Sequence, residues 1–284
     1  MAVHNGARTI TESVSSVLNQ SLRRLELIIV DDASTDSTLQ LLTSTFNDPR
    51  LTIVRQAQQC GLAASLNRGI DLALGPFIAR LDADDVCLPD RLASQLSYMQ
   101  QNVACGVLGG SMIALCQDGS TFPIPTSESD DVARELLRGN ALRHPTVMIR
   151  SSVLHEHGIR YDASLENAQD YDLWCRLQQV TVLANTSRPL IYYRIHAGQE
   201  SQTHSLRQRR IALGIQAKML MRAAGSKSDF SWIDVAVGYL YLIKHSLGFC
   251  YRLLTSRRRS GCSTQPLAAT APENRGNPGK RTRY

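Results

Sequence analysis

Apolar positions along the first hundred residues come in two alternating patterns. Short continuous runs (Glu26-Leu-Ile-Ile-Val30, Leu51 to Arg55, Phe77 to Leu81) predict strands, the first of the kind buried on both faces of a parallel sheet and the last a buried strand too. Between them, apolar residues return every third or fourth position and predict helices. One runs from about Ala7 to Gln20 with Ile10, Val14, Val17 and Leu18 on one stripe, and the next carries Leu39, Leu42 and Phe46 behind Ser34 as N-cap. A third spans Gly61 to Leu74 with Leu62, Leu66 and Ile70, and a fourth starts at Pro89, a residue suited to a first helical turn, with Leu92, Leu96 and Met99. Met1-Ala-Val-His-Asn-Gly6 reads as a fragment of strand and a turn. Strands alternating with helices at these lengths predict an α/β fold: a Rossmann-like, doubly wound, mostly parallel sheet flanked by helices.

From Gly106 the pattern changes. A long strand to Cys116, a hairpin turn at Asp118-Gly119, a short helix from Asp131 to Arg138 and a strand from Arg143 to Arg150 follow one another. A helix starts near Ser151, the loop Leu165 to Asp170 feeds a helix over Tyr171 to Gln178, and Val180 to Asn185 and Leu190 to Arg194 are strands. This half is mixed and partly antiparallel. A helix from Ser205 to Ala224 has a basic face (Arg207, Arg209, Arg210), and an apolar one from Phe230 to Leu254 is interrupted by Asp234, Lys244, His245 and Arg252. Packing on the domain or a partner is the simpler expectation for the apolar helix. Peripheral contact with a membrane surface, aided by Arg257-Arg258-Arg259, is the other.

Composition and charge then remove several function classes. The 284 residues, 43% hydrophobic and 20% charged, suffice for one large domain and an appendage. A net charge of +6 would hint at nucleic acid, but residues 256–284 hold seven Lys/Arg against Glu273 alone, so the tail accounts for all of it. The preceding body is neutral, no nucleic-acid partner is expected, and the Gly/Pro/Ser/Thr-rich tail reads as disordered. Seven widely spaced Cys without a C-x-x-C pair suit a reducing cytoplasm. No apolar run is long enough to span a bilayer.

The candidate chemistry sits at strand ends, where open α/β sheets place their ligands. One strand ends in Asp31-Asp32 and another in Asp82-Ala-Asp-Asp85. A lone D-x-D is an acidic turn like many others; two acidic strand ends make a crevice for a donor-rich or metal-bound ligand. Asp82 and Asp84 project to one side if the strand continues, and hard oxygen donors suit Mg²⁺ or Mn²⁺. No dinucleotide glycine fingerprint and no P-loop is present, which argues against an ordinary NAD or ATP fold.

These residues resemble family 2 glycosyltransferases of the GT-A fold, inverting enzymes that use nucleotide-sugar donors. The resemblance runs from Met1 to about Ser201 and rests on five blocks in the family's order. They are Met1-Ala-Val-His-Asn-Gly6 (the family's M-P-V-Y-N-G), Glu26 to Thr38, Gly61-Leu-Ala-Ala-Ser-Leu-Asn-Arg-Gly69, Leu81 to Leu92, and Gln169-Asp-Tyr-Asp-Leu-Trp-Cys-Arg-Leu177 followed by Tyr193 to Ser201.

The resemblance implies roles. Asp32 would accept from the base edge of the donor nucleotide, with Ala2, Val3, His4 and Asn5 beside it; Asp36 would cap a helix. Gly61 and Asn67, in the third block, would belong to the same donor site. In Asp82-Ala83-Asp84, Asp84 would hold the divalent metal and Asp82 the ribose or the metal through water, with Asp85 in support. His196 would be a further metal or phosphate contact. Asp170 would be the base that takes the proton of the acceptor hydroxyl, with Gln169 where the family usually has Glu. Trp174 would pack under the sugar or in the core, and His144-Pro145 matches a block near the acceptor side. The implied partners are a UDP-, GDP- or dTDP-sugar and a glycan or lipid-linked acceptor, the cofactor Mn²⁺ or Mg²⁺, and the place the cytoplasm, with membrane association through the C-terminal segment.

This chain departs from the family at the start. The family's first strand has apolar residues before the block that begins here at Met1, which predicts a shortened central strand. His4 stands for Tyr and Ala2 for Pro, and no Gln-x-x-Arg-Trp motif marks a processive synthase. The expected organisation is a glycosyltransferase domain over 1–201 with its first strand truncated, C-terminal helices over 202–255 and the basic tail over 256–284. Two other readings remain. A nucleotidyltransferase would want a Gly-rich, basic loop where Asn5-Gly6-Ala7-Arg8 is sparse, and the short first strand leaves room for a non-catalytic nucleotide-sugar binder.

Overall fold

The computed structural model of the chain describes residues 1–129, 132–196, 205–225, 233 and 235–244. The basic tail and most of the apolar helix expected over Phe230 to Leu254 lie outside them, though 235–244 are helical.

The first half follows its pattern in the order of its elements, but of the three apolar runs only Leu27–Asp31 is buried, while Leu51–Arg55 and Phe77–Ala79 are half-buried to exposed. Strands β1 (Ala2–Val3), β2 (Leu27–Asp31) and β3 (Leu51–Arg55) form a parallel sheet in that order. Helices α1 (Ile10–Leu18), α2 (Thr38–Thr45) and α3 (Leu62–Leu72) connect and cover these strands. An apolar residue is buried at every third or fourth position of α1 and α3, Ile10, Val14 and Val17 on one and Ala63, Leu66 and Ile70 on the other. Ser34 does not cap α2. That helix starts later, at Thr38, and the Ser34 hydroxyl instead accepts from the Asn5 N–H at 2.9 Å. Asp36 holds the first turn, its Oδ1 accepting from the Thr38 N–H at 2.9 Å.

Strand β4 (Phe77–Ala79) belongs to a second, mixed sheet with β5 (Val86–Cys87), β6 (Cys105–Leu115), β7 (Thr121–Ile124), β8 (Met148–Arg150) and β9 (Val182–Arg194). Its order is β4-β8-β6-β9-β5, with β7 paired to β6 beside this path. β6 and β9 run parallel through register shifts near Gly110–Met112, while the β4, β5, β7 and β8 pairings are antiparallel. The two strands expected over 180–194 are therefore one long strand bent by bulges. The strand expected from Arg143 starts only at Met148, because His144–Thr146 form a 3₁₀ turn with Pro145 in its first positions.

Helices α4 (Arg91–Gln101), α5 (Val132–Leu136), α6 (Ser151–Glu156), α7 (Gln169–Leu177) and α8 (Ser205–Gly225) complete the described elements. The largest core cluster joins α3, α5, α7 and α8 through Leu66, Leu136, Trp174, Leu177, Met219 and Leu220. Gln216 of α8 donates to the Leu137 carbonyl at 2.8 Å, so this C-terminal helix packs on the domain.

β1 is short and, among the described residues, pairs with β2 alone, the Met1 amine donating to the Ile28 carbonyl at 2.8 Å. Burial pushes that amine's pKa down to about 5, with the nearby Arg80 charge acting the same way. Past Met1 the edges of β2 and β4 face each other across an apolar-lined cleft of about 900 Å³, bordered by Leu27, Ile28, Phe77 and Ile78.

Candidate active site

The end of β2 is organised by Asp32, which is 4% exposed. Its Oδ1 accepts from the Cys60 N–H and Gln56 Nε2, both at 2.7 Å, and its Oδ2 from the Gly61 N–H at 2.9 Å. Gly61 has φ +89°, a left-handed conformation that favours glycine and turns the chain so that two successive amides reach one carboxylate. Asp32 thus ties the start of α3 to the sheet. Beside it the His4 Nδ1–H donates to the Asp32 carbonyl at 2.7 Å, and His4 Nε2 accepts from Asn5 Nδ2 at 3.1 Å. Asn5, at φ 55°, accepts through Oδ1 from the Thr35 and Asp36 amides at 2.8 and 3.2 Å. Both His4 and Asn5 remain exposed at the rim.

β4 carries the chain to the acidic cluster. Oxygens of Asp82, Asp84 and Asp85 lie within 4.8 Å of one another. Three carboxylates so close need cations or donors, and each has some. Arg80 sends Nη1 to Asp82 Oδ2 at 2.6 Å and Nη2 to Asp82 Oδ1. His196 Nε2 lies 2.9 Å from Asp84 Oδ2, joining two residues 112 positions apart. Asp85 is fully buried, accepts from the Arg194 N–H at 2.9 Å, and has its pKa pushed well up, by burial first and then by the Asp82 and Asp84 charges. Arg194 also donates from Nε to the Asp84 carbonyl at 2.9 Å, which pins the acidic turn to the end of β9. Ala83 anchors it from the other side, its carbonyl accepting from the Thr9 and Ser13 hydroxyls at 3.0 and 2.8 Å. Hard oxygen donors with one imidazole fit Mg²⁺ or Mn²⁺.

Asp170 opens α7 after Ala168, which takes the left-handed φ of 58°. Asn140 Nδ2 donates to its Oδ2 at 2.7 Å. Burial pushes the carboxyl pKa up, and the Tyr171 N–H and Asn140 pull it only partly back. A carboxylate so placed holds a proton more readily than usual, as a general base near neutral pH must. Below it, His144 Nε2 pairs with the Tyr161 hydroxyl at 2.8 Å, and His144 meets the edge of Trp174 with ring centres 5.9 Å apart. Burial, then the Arg80 charge, keep His144 neutral. Trp174 is fully buried and belongs to the core rather than under a sugar. Asp172 points away and pairs with Arg176 at 2.7 Å.

Asn67 has a structural task. Its amide bonds the Tyr161 backbone in both directions, at 2.8 and 2.9 Å, and straps α3 to the Tyr161 loop. A cavity of about 260 Å³ lies between Gly61–Ala63 and the loop Ala163–Gln169, with Arg207 of α8 at its wall, linking the Asp32 end to the neighbour of Asp170. Arg80, Asn140, Tyr161 and Arg194 were not singled out from the sequence. Arg80 had a signal, a charge inside an apolar run; Asn140 and Tyr161 had none.

The described cysteines Cys60, Cys87, Cys105, Cys116 and Cys175 are free. Among the described residues no helix is long and apolar enough to cross a membrane.

Comparison with known proteins agrees with this geometry. A glycosyltransferase of Haemophilus influenzae, itself uncharacterised, is 28% identical over 232 residues, covering 76% of this chain and 70% of that protein. The putative glycosyltransferase EpsE of Bacillus subtilis is 32% identical over 182 residues, 62% of this chain and 64% of EpsE. The chain thus spans roughly two thirds of the length of the curated relatives it matches. Among solved structures, S. aureus TarS 1–349 in complex with UDP-GlcNAc superposes with a TM-score of 0.66 at 19% identity, over 86% of this chain and 69% of that one. The mannosyltransferase PcManGT of Pyrobaculum calidifontis, in complex with GDP-Man and Mn²⁺, superposes at 0.61 with 17% identity, over 92% and 74%. The fold is the GT-A type that these share. The family model for glycosyl transferase family 2 matches residues 1–155, more than half of the chain, and the chain belongs to that family.

Proposed function

We propose that the chain transfers a sugar from a nucleotide-diphosphate sugar to a hydroxyl of a glycan or lipid-linked acceptor, with inversion and one unit at a time. The observation that carries this reading is the half-buried Asp170 carboxylate, held by Asn140 Nδ2 at 2.7 Å and with its pKa raised by burial, in the same molecule as the acidic cluster at Asp84. The TarS complex with UDP-GlcNAc and the PcManGT complex with GDP-Man and Mn²⁺ support a nucleotide-sugar donor and a divalent cation. The similar glucosyltransferase WfaP of Escherichia coli, which acts on a diphosphoundecaprenol-linked sugar, supports a lipid-linked acceptor.

Each residue group has a task. The rim of His4 and Asn5 beside the Asp32-held loop receives the nucleotide base. Asp84, with His196 beside it, would hold the cation, and when bound the cation neutralises charge building on the leaving diphosphate. The Asp170 carboxylate takes the proton of the acceptor hydroxyl as its oxygen bonds to the anomeric carbon. The bond from that carbon to the diphosphate oxygen breaks on the opposite face, and its electron pair leaves with the diphosphate. One displacement inverts the configuration. The free thiols suit a cytoplasmic site of action.

A screen of UDP-, GDP- and dTDP-sugars by thermal shift with Mn²⁺, followed by proton NMR of the product's anomeric signal, tests the reading. The outcome expected is stabilisation by one nucleotide class and a product of inverted configuration. Retention of configuration, or full transfer activity in both Asp84→Ala and Asp170→Asn, would refute it.

A further inference from the structure

Arg80 is a charged residue at the inner end of an apolar strand, and only 7% of it is exposed. Its backbone is fixed on both sides, the N–H donating to the Val147 carbonyl at 2.9 Å and the carbonyl accepting from Arg91 Nη2 at 2.6 Å. Both terminal nitrogens lie on the Asp82 carboxylate, one on each oxygen, while Nε is buried with no hydrogen-bond partner. The guanidinium charge reaches further: it favours the charged forms of Asp85 and Asp170 and opposes protonation of His144 and the Met1 amine. One buried cation is therefore felt at the acidic cluster and at the candidate base together.

A two-pronged Arg–carboxylate contact uses both oxygens of Asp82 in the plane where a cation would seek them. We propose that Arg80 is the internal counter-ion of Asp82 and withholds that carboxylate from the cation. Cation binding at Asp84 then depends on oxygens brought by the donor diphosphate. This rests on the sugar-transfer reading above and adds a positioning role for Arg80 within it. The physical reason is charge and ligand number together. With Asp82 paired, an arriving divalent cation meets fewer free carboxylate oxygens and a fixed positive charge close by. A diphosphate supplies both the missing oxygens and the missing negative charge. By linkage the cation then strengthens nucleotide binding by the same factor.

The test is Mn²⁺ titration of the full chain by calorimetry, with and without UDP, on variants whose fold is checked by circular dichroism. In the parent chain UDP should tighten Mn²⁺ binding. In Arg80→Gln, which takes the two-pronged contact off Asp82 and removes a positive charge, Mn²⁺ alone should bind on the order of tenfold tighter, as Coulomb's law at a partly screened site implies. The gain from UDP should shrink by a similar factor, while Arg80→Lys, which keeps the charge, should stay nearer the parent. The double variant Arg80→Gln/Asp82→Asn removes both members of the pair together and guards against a failure to fold. It should bind Mn²⁺ like the parent, because Asp82 is not a ligand there. Unchanged or weaker Mn²⁺ binding in Arg80→Gln would overturn the proposal, as would a tenfold loss in the double variant. If the parent chain bound no Mn²⁺ even with UDP, the cation site at Asp84 would fall first and the role of Arg80 with it. If Mn²⁺ bound as expected but Asp170→Asn transferred sugar normally, only the reading of Asp170 would fail.

Discussion

Two carboxylates in this molecule sit in opposite surroundings. Asp84 lies among other charges: Asp82 and Asp85 within 4.8 Å, and His196 on its own oxygen. Asp170 is hydrogen-bonded by neutral groups, the Asn140 amide and the Tyr171 N–H, with the Arg80 charge acting only after them, and burial dominates its pKa. Concentrated negative charge with a few donors favours a cation. A carboxylate whose partners only partly offset its burial favours a proton. The same functional group is set to two tasks by what surrounds it, and this follows from the general causes of pKa shifts rather than from residue type.

The largest test of that contrast is a double dissociation. Asp84→Asn should lose Mn²⁺ binding and cut transfer by several kcal/mol of transition-state stabilisation, about 100-fold or more. Asp170→Asn should keep Mn²⁺ binding and lose roughly 100- to 10,000-fold in transfer, the usual contribution of a positioned base. If Asp170→Asn lost Mn²⁺ binding as well, the two carboxylates would share one task and the contrast would be broken. A smaller effect is expected at the Asp84 partner. His196→Ala should weaken Mn²⁺ binding about tenfold, the low end of what a residue orienting a metal ligand is worth, and leave the pH profile in place.

The pH profile sharpens the other side. Because the Asp170 pKa is raised, the base form is lost as pH falls through a value above the ordinary carboxylate near 4, so kcat/KM should fall with acid earlier than usual. Asn140→Leu removes a donor that favours the anion. Its acidic limb should move to still higher pH, with activity recovered in alkaline buffer. An unmoved limb would show that Asn140 does not tune the base.

The first half of this arrangement was legible in the chain because its contacts are local or periodic. Apolar runs marked β2, β3 and β4, and the acidic residues follow them directly, so placing Asp32 and Asp84 at strand ends needed no tertiary knowledge. Asp170 and His196 became candidates only through the family's blocks. Nothing in spacing says that His196 returns 112 residues later to touch Asp84. Ser34 misled because Ser is a good cap anywhere, and here a contact to Asn5 across 29 residues outweighed the local preference. The strap that Asn67 makes to Tyr161 across 94 residues has no local signature either. That the edges of β2 and β4 border a common apolar cleft required the three-dimensional arrangement.

The smallest expected effect concerns stability and has the sign opposite to that for activity. A carboxyl whose pKa is raised by folding costs stability at any pH where it must be charged in the folded state. At neutral pH Asp170 is in that condition, whereas an Asn there keeps the oxygen that accepts from Asn140 and carries no charge. Asp170→Asn should therefore raise the melting temperature slightly at neutral pH. The gain should shrink as pH falls through the raised pKa and vanish below the ordinary carboxylate value, where both forms are neutral. Asp84→Asn, which leaves Asp82 and Asp85 in place, offers the comparison, since its gain should come from relieved repulsion and be erased by adding Mn²⁺ to the parent alone. A fall in melting temperature for Asp170→Asn across the whole range would mean that its charge is satisfied by partners rather than desolvated. The distinction between a site for a cation and a site for a proton would then fail on its second member.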